Sequence, residues 1–195
     1  MLPLPHSPAA QRNRQPIWDT LHPYLKNTGK ILEIASGTGE HIEYMATRTP
    51  NIRWQPSDGN PELLWALDAR LESHKNVDQA IHIDVCSSEW SDLSYDVLFC
   101  ANMIHISPWE STLALFNTAN PSQYLILYGP FKENGIHNSQ GNIQFDASLR
   151  MRDPSWGIRD LNDLRALAAK NGYSLRKQHP MPANNFILVW EKDSR

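Results

Sequence analysis

The residues of this chain best suited to chemistry follow short apolar runs. Lys30-Ile31-Leu32-Glu33-Ile34 leads into Ala35-Ser36-Gly37-Thr38-Gly39-Glu40, so an acid, Glu33, stands just ahead of a glycine-punctuated turn. Gly37 and Gly39 have no Cβ and can take positive φ, which lets a ligand lie close to the backbone. Asp58 lies 19 positions past Gly39, and Asp84-Val85, Asn102, His105 and Tyr128 each follow a later apolar run. Carboxylates accept hydrogen bonds from hydroxyls and amines, an asparagine offers both donor and acceptor, and a histidine can move a proton near neutrality. Together they suit a backbone-hugging cofactor that carries hydroxyl and amino groups.

These residues need elements to position them, and the pattern supplies alternating strands and helices. Strands are expected at Lys30–Ala35, Ile52–Gln55, Ala80–Val85, Asp96–Ala101 and Tyr124–Tyr128. Helices are expected at about Gly39–Thr47, from the Asn60 cap with Pro61 and Glu62, and from Ser107-Pro108 to about Ala119. Leu63, Leu64, Leu67 and Leu71 form the inner face of the second of these. Residues 1–16 read as an extended arm before a short helix around Ile17–Leu25, and Gly129–Arg159 as a long irregular segment. A last helix, about Leu161–Asn171, precedes Tyr173–His179 and Phe186–Trp190, two strands joined so briefly that they must be antiparallel. The alternation implies a single α/β domain: a Rossmann-like, mostly parallel seven-stranded sheet with helices on both faces and a C-terminal antiparallel hairpin strand. Ligands bind at the carboxyl ends of such strands, where every candidate above falls.

Composition narrows the class. A length of 195 residues fits one domain, and a net charge of −3 argues against a protein held mainly to nucleic acid by bulk electrostatics. No apolar run approaches a membrane span, and the N-terminus lacks the pattern of a signal peptide. Two cysteines, Cys86 and Cys100, are expected as buried, reduced thiols in a cytoplasmic protein. The remaining histidines are scattered and imply no metal site. A nicotinamide site wants G-x-G-x-x-G. Counted from Gly37 the third glycine position is Ile42, and a frame begun at Ala35 lacks its first glycine. The Gly-Lys-Ser/Thr of a P-loop does not occur.

A parallel sheet closed by an antiparallel hairpin resembles the fold of S-adenosylmethionine-dependent methyltransferases. The resemblance sharpens in longer stretches: Ser7–Arg14, Leu32–Gly39, Trp54–Asp58, Phe99–Trp109, Tyr128–Phe131 and Arg150–Asp160. On these the chain resembles the family whose vertebrate member is called methyltransferase-like protein 26. That resemblance implies the class I methyltransferase fold and S-adenosylmethionine binding, with S-adenosylhomocysteine as product. The broader superfamily has a glycine where this chain has Ala35.

Under that reading the cofactor residues are Glu33, Ala35, Ser36, Gly37, Thr38, Gly39, Asp58, Asp84, Val85 and Asn102. Glu33 orients the loop and attracts the cofactor's ammonium, Asp58 accepts from the ribose, and Asp84 takes the adenine amine while Val85 packs on the ring. Arg14, with Arg12 and Asn13, could fold over the site and meet the cofactor carboxylate, or belong to a solvated tail. His105 is the candidate general base; the alternative is a histidine that hydrogen-bonds near the following helix start. Tyr128 either lines the acceptor pocket or completes the core. The Gly129–Arg159 segment is expected to be a lid. The partner expected is a small-molecule acceptor, without nucleic acid or membrane. A non-catalytic cofactor-binding protein stands as the alternative.

Overall fold

A computed structural model describes residues 3–119 and 122–194. The first two residues of the expected arm lie outside the described residues. The remainder of that arm is not extended. Ser7 caps a helix, α1 (Pro8–Leu21), by accepting the Ala10 amide at 3.2 Å, with Pro8 in the first turn. Pro16 lies inside it; a proline lacks the amide that helical bonding needs, which is why an extended arm was expected. Ala10, Ile17 and Leu21 are nevertheless buried and hold the helix by tertiary packing.

The other main elements are β1 (Lys30–Ile34), α2 (Glu40–Ala46), β2 (Arg53–Asp58), α3 (Leu64–Leu71), β3 (Ile81–His82), β4 (Val97–Ala101), α4 (Trp109–Thr118) and β5 (Tyr124–Gly129). After them come β6 (Lys132–Glu133), β7 (Ile136–His137), α5 (Gln140–Arg152), α6 (Leu161–Lys170), β8 (Tyr173–Met181) and β9 (Asn185–Lys192). Seven strands form one sheet in the order β3-β2-β1-β4-β5-β9-β8. The pairs from β3 to β5 are parallel, whereas β9 runs antiparallel to both β5 and β8.

Alternation along each strand builds two core layers. Ile31, Val97, Phe99 and Ile126 face α1 and α2. Leu32, Ile34, Leu98, Cys100, Leu125 and Leu127 face α4 and α6, where they meet Leu115, Phe116, Leu164 and Leu167. Strands buried on both faces read as continuous apolar runs.

Four expectations need correcting. The segment after β5 is not irregular: it folds into the β6–β7 hairpin and the 13-residue α5, capped by Ser139 on the Asn142 amide. Its apolar residues lack helical periodicity, because Ile143 and Phe145 are exposed while Asn142 and Asp146 are buried. Second, β2 runs through Pro56 to Asp58. Trp54 bonds residues 76 and 78 on the β3 side, so the missing Pro56 amide falls in the gap before β3 pairs at Ser57. The Gln55 side chain fills that gap by donating to the carbonyls of Pro56 and Gln79. Third, β3 is only two residues long, and Asp84-Val85 lie beyond it in a turn. Fourth, Cys86 is exposed, whereas Cys100 is buried with its thiol pushed up to about 12 by burial and by Glu33. No helix among the described residues is long and apolar enough to cross a membrane.

Candidate functional site

Strand order reverses between β1 and β4, and the carboxyl ends there form the natural ligand crevice of an open α/β sheet. The turn after β1 alternates in hand: Ala35, Gly37 and Gly39 all have positive φ, at 56°, 56° and 79°. Ala35 therefore holds a left-handed conformation that costs an L-residue about 1–2 kcal/mol. Gly39 is fixed by packing as well, since a Cβ there would lie 2.9 Å from Leu67 Cδ2 of α3. Gly37 differs: a Cβ there would meet nothing within 4 Å. The outer side of the turn at Gly37 is open.

The turn is stitched to β2. The Ser36 amide donates to the Ser57 carbonyl at 2.7 Å, and the Gly37 amide donates to Asp58 Oδ2 at 2.9 Å. Asp58 Oδ1 accepts the Asn60 amide, also at 2.9 Å. One carboxylate thus spans the turn and the end of β2, and each oxygen keeps a further lone pair for a hydroxyl.

Beneath the turn, Glu33 is buried. Its Oε1 lies 3.5 Å from His41 Nδ1, and its Oε2 has no hydrogen-bond partner among the described residues. Buried polar atoms are almost always satisfied, so an orphaned carboxylate oxygen at a crevice marks a place for a cationic donor. Glu40, the first residue of α2, is buried too, but saturated. It accepts from Thr38 Oγ1 at 2.7 Å, the Ser7 amide at 3.1 Å and His6 Nδ1 at 2.5 Å. Burial alone would raise its pKa; the bonds from Thr38, Ser7 and His6, with the charge of Arg70, outweigh that and hold it below its usual value. Arg70 also donates to the Pro5 carbonyl at 2.6 Å. Residues 5–7 are thereby strapped to the start of α2, beside the turn.

At the ends of β4 and β5, Asn102 takes φ 64° and its amide donates to the Tyr128 carbonyl at 2.8 Å. Tyr128 is 3% exposed, and its hydroxyl oxygen accepts from Asn185 Nδ2 at 3.0 Å and from Asn13. Asn13 Oδ1 in turn accepts from His41 Nε2 at 2.8 Å. A continuous polar chain therefore runs Glu33–His41–Asn13–Tyr128–Asn185, across β1, α2, α1, β5 and β9.

His105 is placed at the end of β4 as expected, but its surroundings do not suit a general base. It is fully buried, edge-on to Phe131 at 5.0 Å, and its pKa is pushed down to about 3 by burial and by Arg159. Nδ1 accepts the Arg159 amide at 3.4 Å, and Nε2 has no partner among the described residues. An imidazole tuned so far below neutrality binds protons too weakly to drive a transfer. Arg14 belongs to α1, and its guanidinium lies over Tyr44, 5.0 Å from the ring centre. Its neighbour Asn13 joins the polar chain. Asp84 is exposed, its Oδ1 occupied by the Cys86 amide at 2.9 Å, with half-buried Val85 beside it.

Sequence reasoning passed over His41, Glu40 and Asn185. For the first two a signal existed: they open the helix that leaves the glycine turn, so their side chains return toward the strand ends. Asn185 had none, since its role depends on β9 inserting beside β5.

The architecture is that of the class I methyltransferases. It superposes on an O-methyltransferase family protein from Burkholderia thailandensis with a TM-score of 0.81 at 13% identity, covering 95% of this chain and 58% of that one. Human N-acetylserotonin methyltransferase, solved in complex with SAM, gives 0.79 at 12% identity, covering 95% and 53%. An O-methyltransferase family 2 protein from Planctomyces limnophilus, in complex with apigenin, gives 0.71 at 15%, covering 84% and 49%. At such identities the likeness shows the fold alone, and the chain spans between about half and three-fifths of these structures' length. A family model described as "Protein of unknown function (DUF938)" matches residues 4–192, and the chain belongs to that family.

Proposed function

We propose that this protein binds S-adenosylmethionine at the β1–β4 crevice and transfers its methyl group to a small-molecule acceptor. The observation that carries the reading is the orphaned, buried Glu33 Oε2 beneath an open glycine turn. That oxygen fits the cofactor's ammonium. Asp58, already pinned to the turn, presents its remaining lone pairs to the ribose hydroxyls. Asp84 and Val85 would meet the adenine, and Asn102 the methionine end. The resemblance of the chain to the methyltransferase-like protein 26 family favours the same assignment.

When bound, S-adenosylmethionine supplies a sulfonium-activated methyl group and leaves as S-adenosylhomocysteine. The chain's part is alignment and exclusion of water. Tyr128 accepts two amide N–H bonds, which leaves its own O–H free to orient an acceptor oxygen. Burial raises its pKa despite the two amides, so the phenol acts as a donor. The segment carrying α5 serves as the lid over the acceptor.

Calorimetric titration with S-adenosylmethionine, S-adenosylhomocysteine and NADH tests the binding step. Heat is expected with the first two, with dissociation constants on the order of micromolar, about −8 kcal/mol. Silence from both, or heat with NADH alone, overturns the reading. The neutral, buried state of His105 favours a second reading, a cofactor binder without turnover. Incubation with labelled methyl donor and a metabolite extract separates the two, because a binder labels nothing.

A further inference from the structure

On the face of the sheet opposite α1 and α2, a cavity of about 520 Å³ opens between α4, α6 and the end of α5. That volume is in the range of small-molecule sites. Its lining combines a flat apolar surface, from Trp109, Ile158 and Leu167, with the cationic side chains of Lys132, Arg150, Arg159 and Lys170. Two acids also line it and offset part of that charge, leaving four cations against two carboxylates. Asp160 is committed to backbone: Oδ1 accepts the Asn162 amide at 2.9 Å and Oδ2 the Gly135 amide at 2.5 Å. Asp163 is exposed in the first turn of α6.

We propose that this cavity is a binding site, separate from the cofactor crevice, for a small organic anion with a planar apolar body. Arg159 lies over the Trp109 ring, 5.6 Å from its centre, so a guanidinium and an aromatic face already share one wall. Its Nε donates to the Ile104 carbonyl at 2.7 Å and its Nη2 to the Ser107 carbonyl, which holds the group rigidly in place. These bonds are to neutral carbonyls; the only charge relief comes at longer range, from Asp146 and Glu110 among the described residues. The pKa of Arg159 is lowered, first by burial and then by repulsion from Arg150. Asp146 already pairs with Arg150, yet the lining keeps four cations against two acids, an excess of positive charge that an anion offsets. Arg150 spends one donor on Asp146, at 3.3 Å, and is half-exposed at the rim. Lys132 and Lys170 supply mobile charges of the kind that close on a phosphate or carboxylate head. The planar body then packs on Trp109. Because Arg159 grips the turn carrying Ile104, His105 and Ser107, occupancy bears on the loop after β4 that reaches the cofactor crevice.

The test is calorimetry on the full chain with phenyl phosphate, benzoate, phenol and inorganic phosphate, each with and without saturating S-adenosylhomocysteine. Phenyl phosphate is expected to bind at least tenfold tighter than phenol or inorganic phosphate, and benzoate to fall between, since a lining with more cations than acids favours the dianion. Lys132→Ala combined with Lys170→Ala should weaken phenyl phosphate at least tenfold. Lys170→Glu alone, at the exposed end of α6, should do so while leaving the fold intact. Absence of phenyl phosphate binding, or affinity indifferent to both lysine variants, overturns the proposal. Displacement of phenyl phosphate by S-adenosylhomocysteine also overturns it, because the site would then be the cofactor crevice. Loss of S-adenosylhomocysteine binding with phenyl phosphate binding intact would count against the cofactor reading alone.

Discussion

Two buried histidines flank the carboxyl edge of the sheet, and they have opposite neighbourhoods. His41, on the α1–α2 side, has both ring nitrogens near polar partners, Asn13 Oδ1 and Glu33 Oε1. His105, on the α4–α6 side, faces Phe131 and the backbone of Gly129, with one weak acceptor bond and one orphaned nitrogen. Burial alone therefore does not make a histidine functional; its partners decide. The half of the edge around His41 is built of polar groups linked to one another. The half around His105 is assembled to fix a loop.

The largest expected effect is on pH-dependent stability at His105. Its folded pKa, about 3, lies below the unfolded value of about 6.5. The unfolded chain therefore binds a proton first, and stability is lost as pH falls below 6.5 toward 3, at up to about 1.4 kcal/mol per pH unit. His105→Gln should flatten the urea-denaturation stability profile by about one proton in that window. An unchanged slope would place His105 in a more polar setting than described.

On the other half, Asp58→Ala removes the acceptor of two backbone amides and should weaken S-adenosylhomocysteine binding by roughly 1–3 kcal/mol. Equal affinity in a folded variant would strip Asp58 of the ribose role. His41→Ala is expected to cost about 1 kcal/mol of cofactor affinity, by freeing Glu33 and Asn13. Unchanged affinity in a folded variant would collapse the contrast between the histidines.

Glu40 sharpens the comparison at lower pH. Its folded pKa is depressed, so its contribution is present above the unfolded value of about 4.3 and disappears as pH falls through the folded one. Glu40→Gln should remove that acid step below pH 4.5 and leave the His105 window untouched, as read by thermal melts. The smallest effect is at Ala35. Glycine there relieves a left-handed alanine but adds freedom to the unfolded chain, for a net gain of about 0.5 kcal/mol.

Much of this was legible in the residues. The strand positions, the glycine turn and the acids near the ends of β1 and β2 follow from apolar runs and punctuation, which are local signals. What was hidden is tertiary. Pro16 made α1 look unlikely to be helical, and only the packing of Ile17 and Leu21 restores it. α5 was invisible because a helix that buries Asn142 and Asp146 and exposes Phe145 has no apolar stripe. His105 sat at a functional position in the chain, yet its environment comes from Phe131 and Arg159, residues distant in sequence. The Tyr128–Asn13–Asn185 contact joins three elements that no periodicity connects.

The place of β9 has a consequence for how the molecule is made. It is the last strand in the order of the chain, yet it lies between β5 and β8 and buries Ile187, Leu188, Val189 and Trp190 completely. During synthesis β5 must wait with one edge unpaired while α5, α6 and β8 emerge, and β8 has no sheet to join until β9 arrives. Long-range pairing of this kind is slow and leaves apolar edge exposed to association. Because β9 also supplies Asn185, the nascent chain completes its sheet and the polar chain at Tyr128 in the same late event.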